Sequence, residues 1–144
     1  MNNIKTSLYT EHSELGAKII PFAGYLMPVN YKEGLTKEYS AVRNQVGIFD
    51  VSHMGQLSIE GTGSSEFLNY VTVNNVHNIS DGCTQYSMFC NNKGGVVDDV
   101  IIYKHNDSSF FIIVNASNIE KDYNWLIQNN IHNVNINNLS NKYS

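Results

Sequence analysis

The chain has 144 residues, enough for one domain with a sizeable core. A net charge of −4 without a basic run excludes a nucleic-acid footprint, and no apolar run approaches membrane-spanning length. Cys83 and Cys90 form neither a CxxC nor a zinc spacing and read as reduced core or half-core thiols of a cytosolic protein. The many asparagines are scattered and carry no low-complexity signal. Residues 1–9 are polar, with no apolar h-region and no Arg-rich amphipathic pattern, so no signal or transit peptide is expected there.

In chain order, Leu8, Tyr9, His12 and Leu15 fall at helical spacing and Gly16 is a natural stop, which predicts a short helix over 7–15. A short strand over 17–21 leads into F-A-G-Y-L-M-P from Phe22 to Pro28, whose Gly and Pro punctuation predicts a loop packed on a core. A helix is expected over 33–45, with Leu35, Tyr39 and Val42 on one stripe. Residues 48–59 read as extended, interrupted at Gly55, and the alternation of Gln56, Leu57, Ser58 and Ile59 marks a half-buried strand. A helix over 62–71 follows, N-capped by Thr62 or Ser64, with Phe67, Leu68 and Val71 on its apolar face. A polar connection occupies 73–82.

The most informative stretch is N-N-K-G-G-V-V-D-D-V-I-I-Y, Asn91 to Tyr103. Asn and Gly tolerate positive φ, so residues 91–95 read as a tight hairpin turn, with Gly94 and Gly95 supplying that conformation. The apolar run 86–90 and the β-branched run 96–103 are its strands. Asp98 and Asp99 sit inside the second strand, where Asp is depleted. Neighbouring strand residues point to opposite faces, so one carboxylate can face solvent and the other the apolar side. A buried carboxylate costs several kcal/mol unless it is paired or hydrogen-bonded. The alternative is that both cap the turn or lie on an exposed edge. A second turn at 105–109 and a strand over 110–115 extend the meander. A helix over 117–128 is expected, with Ser117 and Glu120 as a capping box and Ile119, Tyr123, Leu126 and Ile127 as its stripe. A last strand covers 134–136. The whole is α+β, an antiparallel sheet with packed helices.

His12, His53, His77, His105 and His132 show no metal spacing, and His53 before Met54 reads as structural. Lys93-Gly94-Gly95 lacks the frame of a phosphate loop. No Ser or Cys sits in a nucleophile-elbow context.

A resemblance extends the reading. L-Y-T-E-H from Leu8, G-A-K-I-I-P-F-A-G-Y-L-M-P from Gly16 and A-V-R-N-Q-V-G-I-F-D-V-S-H-M-G from Ala41 are similar to the N-terminal part of the aminomethyltransferases, the T-proteins of the glycine cleavage system. So are Y-S-M-F-C-N-N-K-G-G-V-V-D-D-V-I-I-Y from Tyr86 and V-N-A-S-N-I-E-K-D-Y-N-W-L from Val114. Tyr25 stands where Trp is usual in that family. The resemblance implies part of a folate-binding, three-domain cloverleaf. Residues 1–55 would open the first folate-binding domain, 56–140 would form most of the second, and 141–144 would begin a truncated return to the first.

It further implies a cytoplasmic transferase that uses tetrahydrofolate and a lipoylated H-protein. The one-carbon unit passes from the aminomethyl-lipoyl arm to tetrahydrofolate, with release of ammonia. By the same resemblance Asp99 is the catalytic carboxylate, and Met54, Tyr86, Asp99, Tyr103 and Asn115 contact folate, with Asp98 structural. Flat apolar and aromatic walls suit the folate rings, and a carboxylate suits attack of a folate nitrogen on an iminium-like carbon. The chain is under half the length usual in the family, which implies a fragment, a truncated product or one half of a split protein. Alone it is expected to be inactive, to self-associate through Phe22, Tyr25, Leu26, Met27 and Phe49, and to bind folate weakly. Other readings are a folate-dependent demethylase on the same fold, or an inactive binding module.

Overall fold

The meander expected from the sequence is present in a computed structural model that describes residues 3–143. Two units are distinguished, residues up to His53 and Met54–Tyr143.

The first unit contains β1 (Ile4–Lys5), α1 (Tyr9–Glu14), β2 (Lys18–Phe22), β3 (Tyr25–Asn30) and α2 (Leu35–Asn44), with a sheet ordered β1-β3-β2. The stretch from Phe22 to Pro28, expected as a loop, is instead a hairpin. Phe22 pairs with Tyr25 across Ala23 and Gly24, whose φ values of 49° and 86° make a two-residue primed turn. Pro28 is tolerated because β1 pairs only with Tyr25 and Leu26 of β3, leaving that side of β3 free of a ladder at Pro28. His12, the buried residue of α1, bonds Tyr31 Oη through Nδ1 (2.7 Å) and Asp50 Oδ2 through Nε2 (2.9 Å). Met27 is buried rather than exposed, whereas Phe22 and Phe49 are exposed as expected. The stripe of α2 is exposed at Leu35, Tyr39 and Val42.

The second unit contains β4 (Gly55–Glu60), α3 (Ser64–Val71), β5 (Thr84–Cys90), β6 (Val96–Asn106), β7 (Ser109–Val114), α4 (Ile119–Gln128) and β8 (Asn135–Asn138). Its sheet is antiparallel throughout, ordered β5-β6-β7-β4-β8. One face carries Leu57, Ile59, Val100, Ile102, Phe110, Ile112 and Val114 into a core with Phe67 and Leu68 of α3 and Leu126 of α4. Phe89 stacks on Trp125 at 5.2 Å between ring centroids.

Several local expectations are corrected. The strand at Gly55 is not interrupted there: it begins at Gly55, which pairs with Val114. The polar connection contributes Val76 and Ile79 to the core through a 3₁₀ turn, Val76–Asn78, because Asn69 Oδ1 and Asn75 Oδ1 accept its free backbone N–H groups. Gly63, not Thr62 or Ser64, holds the N-cap position of α3. The capping box of Ser117 and Glu120 is absent, since a 3₁₀ turn, Ala116–Asn118, precedes α4 and Asn118 occupies the N-cap position. On α4 the buried side chains are Asp122 and Leu126, and Ile127 is exposed. Cys90 is half-buried and Cys83 exposed, so only Cys90 fits the expectation for the thiols.

In the β5–β6 turn, Gly94 has φ +77° but Gly95 does not lie in the left-handed region. Gly95 instead lies close to the Asn91 side chain: a Cβ there would lie 2.9 Å from Asn91 Nδ2 and would have to displace it. The Asn91 Oδ1 atom accepts from Lys93 N at 2.9 Å and Gly95 N at 3.0 Å, and so organises the turn. Gly94→Val is therefore expected to lower unfolding free energy by about 1–2 kcal/mol through backbone strain alone. Gly95→Val should cost a similar amount, and pairing it with Asn91→Ala should show strong non-additivity. Urea denaturation checks both, and full additivity would remove the Asn91 explanation.

The first unit also exposes Val46, Ile48 and Phe49, at 84%, 99% and 68%. Contiguous apolar surface promotes association. Sedimentation of the 144-residue chain should show self-association that the double change Ile48→Ser and Phe49→Ser reduces, whereas a monodisperse monomer would contradict it.

Candidate functional site

The outer face of the second-unit sheet breaks the usual rule for an antiparallel sheet, in which the face away from the core is polar. Tyr86 and Met88 on β5, Ile101 and Tyr103 on β6, and Phe111 and Ile113 on β7 occupy this face in register, Tyr86 opposite Ile101, Ile101 opposite Ile113 and Tyr103 opposite Phe111. Tyr86 is 60% exposed and Tyr103 40%. The rings of Tyr103 and Phe111 meet edge to face at 6.3 Å, and Phe111 meets Tyr143 at 5.9 Å. The result is an accessible wall of aromatic and aliphatic groups.

Asp99 is set into this wall opposite Met88. Its two carboxylate oxygens are held from β5 and from the residue that follows β7. Tyr86 Oη donates to Oδ2 at 3.0 Å, and Asn115 Nδ2 donates to Oδ1 at 3.1 Å. The same amide donates to the Asp99 carbonyl at 3.2 Å. The hydrogen bond to Asp99 raises the phenol pKa of Tyr86, because ionising Tyr86 would remove the donated proton and place two anions together.

Asp98, one residue earlier, points to the opposite face and is buried, as the strand period requires. It accepts from Asn115 N at 3.3 Å, Asn115 Nδ2 at 3.0 Å and Asn118 Nδ2 at 2.8 Å. Burial alone would raise its pKa, but hydrogen bonds from Asp122, Asn115 and Asn118 outweigh that and hold Asp98 below the usual carboxylate range. Asp122 on α4 is fully buried beside it. Burial first, then the hydrogen bond to Asp98 and its charge, push Asp122 up to about 8.

The expected site residues thus divide. Tyr86, Asp99 and Asn115 are joined by direct hydrogen bonds. Tyr103 lies on the same face, with Ile101 between it and Asp99 along β6. Met54 immediately precedes Gly55, whose ladder partner Val114 immediately precedes Asn115, and the Met54 carbonyl accepts from Gln56 Nε2 at 3.1 Å. His53 packs against the rings of Phe22 and Tyr25, and burial lowers its pKa. The hydrogen bonds of Asp98 rule out the alternative that both carboxylates merely cap the turn or line an edge. Asn118, Asp122, Phe111 and Ile113 were not singled out from the sequence. Asp122 was findable: it lies on the stripe of Ile119 and Leu126, where a carboxyl group is out of place. Among the described residues no cluster of His, Cys, Asp and Glu could hold a metal ion, and no helix is long and apolar enough to cross a membrane.

Comparison with known proteins places this geometry in a family. The model of the GCVT N-terminal domain matches residues 8–144. An aminomethyltransferase of Flavobacterium psychrophilum is 50% identical over 139 residues, which cover 96% of this chain and 38% of that protein. One from Pelodictyon phaeoclathratiforme is 52% identical over 124 residues, covering 86% of this chain and 34% of the relative. Among solved structures, the glycine cleavage system aminomethyltransferase T from Bartonella henselae superposes with a TM-score of 0.88 at 31% identity, over 94% of this chain and 38% of that one. The chain therefore spans little more than a third of the length of these relatives. With a match that runs through both units, the chain belongs to the GCVT N-terminal domain family.

Proposed function

We propose that this chain supplies part of the folate site of a glycine-cleavage aminomethyltransferase. The full reaction moves the one-carbon unit from an aminomethyl-lipoyl H-protein to tetrahydrofolate and releases ammonia, in the cytoplasm. The observation that carries the reading is Asp99, clamped by Tyr86 and Asn115 within an accessible apolar and aromatic wall. The relatives named aminomethyltransferase support it.

The residues present fit a flat, partly polar ring system. Tyr86, Met88, Ile101, Tyr103, Phe111 and Ile113 offer a surface on which rings can lie, and Asp99 fixes orientation by accepting a hydrogen bond. Tetrahydrofolate, when bound, supplies the nitrogen nucleophiles that accept the one-carbon unit. Asp99 steadies positive charge developing beside it and accepts or returns a proton. Tyr86 and Asn115 hold both of its oxygens, so little reorganisation is needed when that charge appears. Tyr103 extends the same wall, and in this reading Met54, next to Gly55 at the start of β4, contacts the folate as well. In this reading residues 1–55 open the first folate-binding domain, 56–140 form most of the second, and 141–144 begin the return to the first.

The test uses a chimera in which this chain replaces the matching stretch of the Flavobacterium psychrophilum relative. Asp99→Asn should keep the urea midpoint and reduce formation of 5,10-methylenetetrahydrofolate by about a hundredfold or more, the scale of a positioned acid or base. Asp98→Asn should act mainly by lowering stability. Small, equal activity losses in the two variants would overturn the assignment.

The 144-residue chain alone presents a wall rather than an enclosure, whereas small-ligand sites bury most of the ligand. Equilibrium dialysis should therefore find weak or no binding of tetrahydrofolate. Binding at micromolar affinity or better would show that the wall alone suffices.

A further inference from the structure

Asp122 is fully buried at the start of α4, and among the described residues no N–H or O–H group hydrogen-bonds to either of its carboxyl oxygens. Such a group is costly unless it finds a partner. The neighbour it does have is the Asp98 carboxyl, which faces it from β6. Two ionised carboxylates cannot share a buried position at acceptable cost, but a carboxylic acid and a carboxylate can, because the acid supplies a strong O–H···O⁻ bond. Lys121 offsets the pair only in part: its charge favours the ionised form of Asp122, but burial and Asp98 outweigh it. Its Nζ lies 3.9 Å from Asp122 Oδ1 and donates instead to the Val97 carbonyl at 2.6 Å. The other charged group acting on Asp122 is Asp99, beyond Asp98 on β6.

The chain of contacts continues outward. Asp98 Oδ1 accepts from Asn115 Nδ2, and that same nitrogen donates to Asp99 Oδ1 and to the Asp99 carbonyl. One amide group therefore links the buried carboxylate to the exposed one. We propose that Asp122 is a positioning residue, whose single proton, shared with Asp98, sets the aim of the Asn115 amide on Asp99. While Asp122 keeps its proton, it occupies one Asp98 lone pair and leaves the others for Asn118 and Asn115. Loss of that proton places a second negative charge beside Asp98 and pulls the donors of Asn115 and Asn118 inward, loosening the amide from Asp99. The proposal rests on the preceding reading only for what Asp99 does, since the network itself needs no ligand.

The pair also marks stability. In the unfolded chain Asp122 loses its proton near the ordinary value of 3.8, whereas in the fold it keeps it until about 8. Between those values the unfolded state binds fewer protons than the fold, so stability falls as pH rises and then levels off above about 8.

The test is an NMR titration of the folate-free 144-residue chain from pH 6 to pH 9.5, roughly spanning that transition. The Asp122 carboxyl carbon and the Asn115 side-chain amide should shift together with one midpoint near 8. In Asp122→Asn, which keeps a donor toward Asp98 but cannot ionise, the Asn115 transition should vanish. A flat Asn115 amide in the wild-type chain, or the same transition in Asp122→Asn, would overturn the proposal. Should the variant fail to fold, the wild-type titration decides alone. Failure of the Asp99→Asn test with a normal Asn115 transition would count against the folate reading and not against this network.

Discussion

A carboxylate inside the core of a sheet is the constraint on which this site depends. Asp98 occupies an inward position two residues before Val100, which is itself in the core. Leaving it unpaired would cost several kcal/mol, so donors must be brought to it. They come from three places: the end of β7 at Asn115, the 3₁₀ turn at Asn118, and the first turns of α4 at Asp122. This demand explains the start of α4 better than helix propensity does. Asn118 holds the N-cap position, yet its side chain turns away from the helix to donate to Asp98. The helix gives up a cap, worth about 1 kcal/mol, to satisfy a buried anion.

The same demand fixes the exposed carboxylate. A strand places Asp98 and Asp99 on opposite faces, so no direct contact can orient one from the other. Asn115 bridges them because it stands just beyond β7, where its amide can reach both faces at the edge of the ladder. Tyr86 completes the clamp from β5. The buried member therefore serves the outer member through a shared donor, and each of the two aspartates needs its own face.

Much of this was legible in the sequence, for identifiable reasons. The period of two of a strand predicts that the adjacent Asp98 and Asp99 point to opposite faces, but V-V-D-D-V-I-I-Y and S-F-F-I-I-V are apolar on both, so the pattern does not say which face is the inner one. Asn91 and the glycines announced the hairpin, although of the two glycines only Gly94 is left-handed and Gly95 instead lies close to the Asn91 side chain. What was not legible depends on long-range contacts. Local punctuation argued for a loop at F-A-G-Y, but a primed turn uses Ala23 and Gly24 as a hairpin apex. Local capping rules argued for Ser117, but the buried Asp98 recruits Asn118 and displaces the start of the helix. The apolar outer face was written in Tyr86, Ile101, Tyr103, Phe111 and Ile113. Without the register, an apolar residue at an outer position is hard to tell from a core residue.

Gly55 shows how far the demand of Asp98 reaches. It is an ordinary ladder residue opposite Val114, with no left-handed conformation to explain a glycine. A Cβ there would lie 2.5 Å from Ile119 Cγ1 and 2.6 Å from Val114 Cγ2, closer than real carbon atoms approach. Ile119 is the first residue of α4, between Asn118 and Asp122. The bare backbone at Gly55 thus lets the start of α4 lie down on β4, and that descent is what brings Asn118 and Asp122 within reach of Asp98. A methyl group at this position would lift the first turn and withdraw donors from a buried anion, a penalty beyond steric strain alone. The glycine of D-V-S-H-M-G and the aspartates of G-G-V-V-D-D are therefore parts of one device, joined through the first turn of a helix that neither motif contains.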